Sequence, residues 1–269
     1  LLFRVVRYRR KTVRQNLERV FKDMPAVQRG QLEKEFYRYL ADVVIEILLM
    51  SRLSREALAG RVEIVGMEHL RACSEKGQSA ILLSAHQGNW EWMLAAVASA
   101  SPRALDALYR PLHNPAMDDF FMRIRTQFGA HMIPAEKAAR VILKLRRETR
   151  FFGILGDQNP RRKDEKYWAT FMGVETPVVI GPERIARLTG YPLFYVATEK
   201  LQRGRYRCVI APLLEGSYGD LPDGEISQRY MAAVEDHVRR QPACWMWSHQ
   251  RWRYRRQDCP EYQSGLPSR

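Results

Sequence analysis

Cysteine is scarce in this chain, and what there is of it is scattered. Cys73, Cys208, Cys244 and Cys259 are spread through 269 residues, and none belongs to a CxxC pair or a Cys/His zinc spacing. That argues against a zinc module and makes a reducing, intracellular compartment the simplest setting. Long apolar runs are missing too: no stretch approaches the ~20 residues needed to span a bilayer, and no signal peptide is visible. The chain starts at Leu1-Leu2-Phe3 with no methionine, so the expectation stays open that a hydrophobic membrane segment precedes it. Neither an internal repeat nor a low-complexity linker breaks the sequence. The expected organisation is therefore a helical extension over residues 1–50 packed on one domain over 51–269. Acidic residues are the last deficit, 30 against 44 lysines and arginines, for a net charge of +14. Such a surface suits an anionic partner: nucleic acid, a phospholipid face or an acidic carrier protein.

What is present is a globular composition, 46% hydrophobic and 28% charged, long enough to bury a sizeable core. Over residues 1–21, Arg4, Arg7, Arg9, Arg10, Lys11, Arg14 and Arg19 alternate with apolar residues. This predicts a basic amphipathic helix, either lying on an anionic membrane surface or showing an ordinary charged face to water. Met24-Pro25 ends it, and helical spacing resumes from Ala26 to Met50. Glu46 is the one carboxylate in that helix's apolar second half, and its expected place is toward solvent. Strands are then predicted at 62–65, 79–85, 105–109, 131–133 and 151–156, with helices between them over 53–59, 68–76, 90–97, 115–128 and 135–148. Later come a helix over 182–188, two antiparallel strands over 193–200 and 206–211, and a helix over 223–240. The alternation predicts an α/β fold with a mostly parallel central sheet flanked by helices.

The most informative stretch is Ile81-Leu82-Leu83-Ser84-Ala85-His86-Gln87-Gly88-Asn89-Trp90-Glu91-Trp92. An apolar run of strand length stops at a histidine, Gly88 permits a tight turn, and Asn89 is a good N-cap for the helix that follows. Binding groups of open α/β sheets collect at such strand ends. Glu91, in the first helical turn, is expected to fold back on the His86 imidazole and hold one tautomer, making the other ring nitrogen a general base. The plainer alternative is a satisfied polar pair. A zinc reading of the two has no support, because their spacing is unlike HExxH and His113 or His249 would have to be recruited without a motif. A second polar cluster, 157–166, follows the 151–156 strand.

Four blocks stand in chain order: His86 to Glu91; Tyr109-Arg110-Pro111 with Asn114-Pro115; Asp157-Gln158-Asn159; and Trp247-Ser248-His249-Gln250-Arg251-Trp252-Arg253. Together with Tyr8-Arg9-Arg10-Lys11 and Asn16-Leu17, they make the chain resemble the bacterial lipid A biosynthesis acyltransferases, lauroyl and myristoyl transferases of the wider glycerolipid acyltransferase superfamily. The histidine, four residues, then Asp or Glu of that superfamily is met by His86 and Glu91.

The resemblance implies a glycerolipid-acyltransferase-like fold, working at the cytoplasmic face of the bacterial inner membrane. It implies transfer of a fatty acyl chain from acyl carrier protein to a hydroxyl of a phosphorylated lipid A precursor, with no cofactor, no metal and no acyl-enzyme. His86 would be the base and Glu91 its orienter. Gly88 and Asn89 would bind substrate; backbone N–H groups near Gly88, or the Arg110 guanidinium, would meet the oxyanion, each such donor contributing about 3 kcal/mol in comparable sites. Arg110 would grip a phosphate of the lipid or of the carrier's phosphopantetheine. Asp157 matches the family's Asp-Gln-Asp block and is expected to contact substrate, whereas Asn159 departs from the block's third position and so is not expected to act there as an anion. Arg251 would either contact a phosphate or stack structurally with Trp252. Another membrane lipid, such as a lysophospholipid or an ornithine lipid, is the alternative acceptor. A nucleic-acid-binding module is the rival from another class, resting on the charge and on the arginine- and tryptophan-rich tail; the acyltransferase reading implies no nucleic-acid partner. Acyl chain length and oligomeric state are not encoded in any motif.

Overall fold

In the computed structural model, which describes residues 3, 7–161, 164, 166–216 and 218–259, the alternation of strands and helices forms one twisted sheet with both faces covered. The chain order is α1 (Arg10–Val20), α2 (Ala26–Met50), α3 (Arg55–Ala59), β1 (Val62–Val65), α4 (Met67–Glu75), β2 (Ala80–Ser84) and α5 (Trp90–Ala100). It continues with β3 (Leu105–Tyr109), α6 (Pro115–Thr126), β4 (Ala130–Pro134), α7 (Ala138–Lys144) and β5 (Phe151–Leu155). The last elements are β6 (Lys166–Phe171), β7 (Val174–Val179), α8 (Gly181–Thr189), β8 (Leu193–Gln202), β9 (Arg205–Leu214) and α9 (Glu225–Arg240).

The seven-stranded sheet runs β1-β9-β8-β2-β5-β3-β4. Only β8 and β9 are antiparallel, so five neighbouring strands share one direction. Every residue of β2 is buried, and pleat alternation divides its side chains between two cores. Ile81 and Leu83 join the cluster beneath α1, α2 and α9. Ala80 and Leu82 join the one beneath α4 and α5. β2 and β5 are central strands paired on both sides, so their C-terminal ends meet at the middle of one sheet edge.

Two features differ from the sequence reading. The segment from 166 to 179, where no strand is predicted, is the β6–β7 hairpin. Its turn is Met172-Gly173, both with positive φ (54° and 73°), and a bulky residue in that region together with Pro177 inside a strand disguises a hairpin. The N-terminal helix is shorter than 1–21, and its basic residues face protein as well as water: Arg10 and Arg14 pair with Glu33 at 2.8 and 3.0 Å. Arg9 and Arg19 donate to the carbonyls of Ser248 and Trp252, so this helix clasps the C-terminal segment. Arg4 lies outside the described residues. Val13 and Leu17 of α1 and Leu32, Phe36 and Leu40 of α2 are buried in the same core as the sheet. Among the described residues no helix is long and apolar enough to cross a membrane.

Candidate active site

The turn after β2 is fixed from three directions. From the C-terminal segment, the Met246 N–H donates to the His86 carbonyl at 3.1 Å and the Gly88 N–H donates to the Cys244 carbonyl at 2.9 Å. From α2, the Tyr39 hydroxyl donates to the Gly88 carbonyl at 2.6 Å. From β8, the Thr198 carbonyl lies 2.3 Å from where a Cβ on Gly88 would stand, and the Gly88 φ is +59°, so only glycine fits. Asn89 caps α5 as expected, its Oδ1 accepting from the Trp92 N–H at 3.0 Å, while its Nδ2 donates to Glu46 at 2.9 Å.

Glu46 faces inward, a correction to the reading that it meets solvent. It is 6% exposed and also accepts from the Tyr206 hydroxyl and the Gly204 N–H. Gly88 and Asn89, expected to bind substrate, thus spend the Gly88 peptide groups and the Asn89 side chain on the protein. The Gly88 N–H is committed to Cys244 and is no free oxyanion donor.

His86 meets a different carboxylate from the one its motif suggests. Its Nδ1 is 2.7 Å from Asp157 Oδ1, and its backbone N–H donates to Oδ2 at 3.0 Å. Trp245 Nε1 donates to the same Oδ2 at 2.9 Å. Burial works to raise the Asp157 carboxyl, but the charge and hydrogen bonds of His86, helped by the Trp245 indole, outweigh it and hold it below the ordinary range. A permanent anion at Nδ1 selects the tautomer protonated there. Among the described residues nothing hydrogen-bonds Nε2.

Glu91, the expected partner, sits in the first turn of α5 facing α6, where Arg125 takes it through Nη2 at 2.5 Å and Nε at 2.8 Å. Trp90 Nε1 adds a third donor. Burial tends to lower the Arg125 pKa, yet the Glu91 hydrogen bonds and charge leave it above its ordinary value. The two carboxylates of the site therefore do separate work: Asp157 orients the imidazole, and Glu91 anchors a guanidinium.

His86, Glu91 and Arg125 all line one cavity of about 560 Å³. Its inner walls are apolar: Leu82, Leu105, Ala107 and Gly153 from the sheet, and Met93, Leu94 and Val97 from α5. Its mouth is charged, with Arg110, Arg161, Glu136 and Asp164. Arg110 is half-exposed there, with Asp164 3.8 Å away, a distance that leaves its donors available to an anion. Arg162, Lys163 and Glu165 of the charged loop lie outside the described residues.

Arg251 is elsewhere, fully buried. Its Nη1 donates to Asn159 Oδ1 at 2.9 Å and the Pro177 carbonyl at 2.8 Å, and its guanidinium lies over the Phe171 ring. Burial brings its pKa down to about 10. The phosphate contact considered for it therefore gives way to a structural role, and the ring it covers is Phe171 in place of Trp252. Asn159, the departure from the acidic block, is consumed in holding that arginine.

The tail's aromatics are interior as well: Trp245, Trp247 and Trp252 are 1%, 0% and 6% exposed and pack on one another and on Phe171. They offer no stacking platform, which removes the main support for the nucleic-acid rival. Among the described residues, no three His, Cys, Asp or Glu side chains converge as a metal site. Sequence reasoning missed Arg125, because an arginine in the last turn of a helix carries no local signal, and it missed Trp245 as the second donor to Asp157.

A sequence profile described as bacterial lipid A biosynthesis acyltransferase matches residues 1–254. Among curated proteins, the chain is 24% identical over 248 residues to the lipid A biosynthesis acyltransferase of Haemophilus influenzae, covering 90% of this chain and 74% of that one. It is 24% identical over 272 residues to the lipid A biosynthesis lauroyltransferase of Escherichia coli, covering 100% and 85%. To the palmitoleoyltransferase of the same organism it is 23% identical over 250 residues, covering 92% and 79%.

Proposed function

Because the chain belongs to the bacterial lipid A biosynthesis acyltransferase family, we propose that it transfers a fatty acyl chain from the thioester of acyl carrier protein to a hydroxyl of a lipid A precursor. The observation that carries the reading is the His86–Asp157 pair opening on a largely apolar cavity with a charged mouth. In this mechanism Nε2 of His86 takes the proton of the acceptor hydroxyl, and the oxygen attacks the thioester carbonyl carbon. The oxyanion that forms is met by a guanidinium, for which Arg125, held by Glu91 and facing the cavity, is the best donor on the site. Collapse breaks the carbon–sulfur bond, and the thiolate recovers the proton from the imidazolium. Asp157 keeps the imidazole in its productive tautomer throughout and stabilises its charged form. Arg110, at the mouth, is suited to a phosphate of the lipid or of the carrier's phosphopantetheine.

Seating on the cytoplasmic side of the inner membrane is part of the same reading. The outer face of α2 supports it: Val44, Ile45, Leu48 and Leu49 are 44 to 58% exposed, with exposed Arg38 earlier on the helix and exposed Arg52 in the turn just after it. Apolar side chains bordered by arginines suit an anionic lipid surface. Co-sedimentation with anionic vesicles should drop in the Ile45→Ser/Leu48→Ser double variant, and unchanged binding would refute this seat.

The activity is tested by incubating the protein with acylated carrier and a membrane lipid extract and weighing the lipid product by mass spectrometry. The acylated lipid A precursor is the expected product; an acylated lysophospholipid or ornithine lipid would redirect the acceptor. His86→Ala should lower the rate by about 10²- to 10⁴-fold, and an undiminished rate would sink the mechanism. The relatives are named for different acyl groups, lauroyl and palmitoleoyl, so family membership leaves the chain length open.

A further inference from the structure

Gly153 stands in the middle of β5, a central strand paired with β2 on one side and β3 on the other. Glycine there weakens a strand, because it lacks a side chain to pack and loses more freedom on folding. The backbone gives no reason for it: its φ is not positive, and an added Cβ would meet only Ala107 Cα and Cβ at 3.9 Å and the Asp106 carbonyl at 4.0 Å. Those are ordinary contacts. At Gly66 and Gly88, by contrast, a Cβ would stand 2.0 Å from the Ile210 carbonyl and 2.3 Å from the Thr198 carbonyl. The fold needs those two glycines and has room for a side chain at 153.

That room belongs to the cavity. Pleat alternation puts Gly153 on one face with Leu155, and register sets Leu82 and Ala107 beside it and Ser84 beside Leu155. All five line the cavity, as do Tyr109 and Leu105 along β3. The cavity therefore runs down the sheet face beneath Met93 and Val97, from the level of Tyr109 to that of Leu105, a depth of roughly 13 Å at ~3.3 Å per residue. Gly153 and Ala107 form its floor about halfway down. Phe151, one pleat deeper on β5, is fully buried with Leu105 in the core below.

We infer that Gly153 sets the longest acyl chain the protein accepts, its absent side chain being the space that lets the terminal methylenes pass from the upper to the lower half of the cavity. This rests on the acyl-transfer reading only for the identity of the chain. The test compares wild type, Gly153→Ala and Gly153→Val with carriers bearing acyl chains of increasing length. It also measures displacement of a fluorescent fatty acid by free fatty acids of the same lengths, which requires no transfer.

The ratio of kcat/KM for the longest accepted chain to that for the shortest should fall in steps from Gly to Ala to Val, by at least tenfold at Val, since one methylene of pocket space is worth about 10- to 200-fold. The displacement series should shift toward shorter chains in parallel. A uniform loss at every length, or an unchanged length profile in both variants, overturns the inference. If wild type transfers nothing from any carrier while the displacement profile still shifts at Gly153→Val, the acyl-transfer reading falls and the length gate stands.

Discussion

One face of the sheet is filled and the other is hollow, and β5 displays the difference in a single strand. Phe152 and Ile154 point to the face where α9, α1 and the three tryptophans pack solidly. Gly153 and Leu155 point to the face where α5 arches over about 560 Å³ of space. His86 sits on the border. It is gripped from the filled side through Asp157 and Trp245, and it reaches the hollow side as part of the cavity wall. Rigid aromatic packing thus fixes a base beside a space left open for an apolar ligand, a division of labour in which stability and chemistry come from opposite faces.

The sharpest way to break the comparison is at the border. Asp157→Asn should reduce transfer by about 10²- to 10⁴-fold at unchanged fold, because an amide no longer enforces the tautomer protonated at Nδ1. Glu91→Gln should act differently, loosening Arg125 while leaving the imidazole held. If circular dichroism is unchanged and the two variants show that Glu91, not Asp157, controls the pH profile of kcat/KM, the assignment of the orienter is wrong.

On the filled face alone, Trp247→Ala removes a fully buried ring and should cost about 3 to 5 kcal/mol of stability. Denaturant unfolding would measure it. Leu94→Ala, beside the cavity where space already exists, should cost visibly less. Equal losses would mean that the hollow face closes up in solution.

Acid should probe the filled side with a smaller effect. His237 is 1% exposed, with Nδ1 beside the Tyr195 hydroxyl at 3.0 Å, and burial, helped by Arg240, lowers its pKa from 6.5 to about 4. His249 is lowered to about 4 in the same way, by burial and Arg251. Below pH 6.5 the unfolded chain binds protons that the folded chain refuses until about pH 4. Stability is therefore complete above 6.5 and declines toward 4, by roughly 3 kcal/mol for His237 alone. Replacing His237 by Gln should flatten that decline, and a decline of unchanged slope would show that other groups cause it.

Much of this was legible in residue order. Helix α2 runs from Ala26 to Met50 and β3 from Leu105 to Tyr109 as the patterns predict, because Met24-Pro25 stops one helix and the apolar spacing of the next is unambiguous. His86 at a strand end, Gly88 in a positive-φ turn and Asn89 as a cap follow from local chemistry and recur in the structure. The hairpin turn at Met172-Gly173 did not follow, since a methionine at positive φ and Pro177 inside a strand hide it, and the inward Glu46 did not, since its partners lie far along the chain.

Sequence alone determined the alternating α/β architecture, the family, and the position of the histidine, because hydrophobic period, caps and motifs are properties of neighbouring residues. Tertiary structure alone decided which carboxylate holds that histidine. Glu91 is five residues from His86 in sequence but turned away on a helix; Asp157 is 71 residues distant and 2.7 Å away. Strand order brings the ends of β2 and β5 side by side. Such pairing of remote strands is set by the whole core and is invisible in any local window.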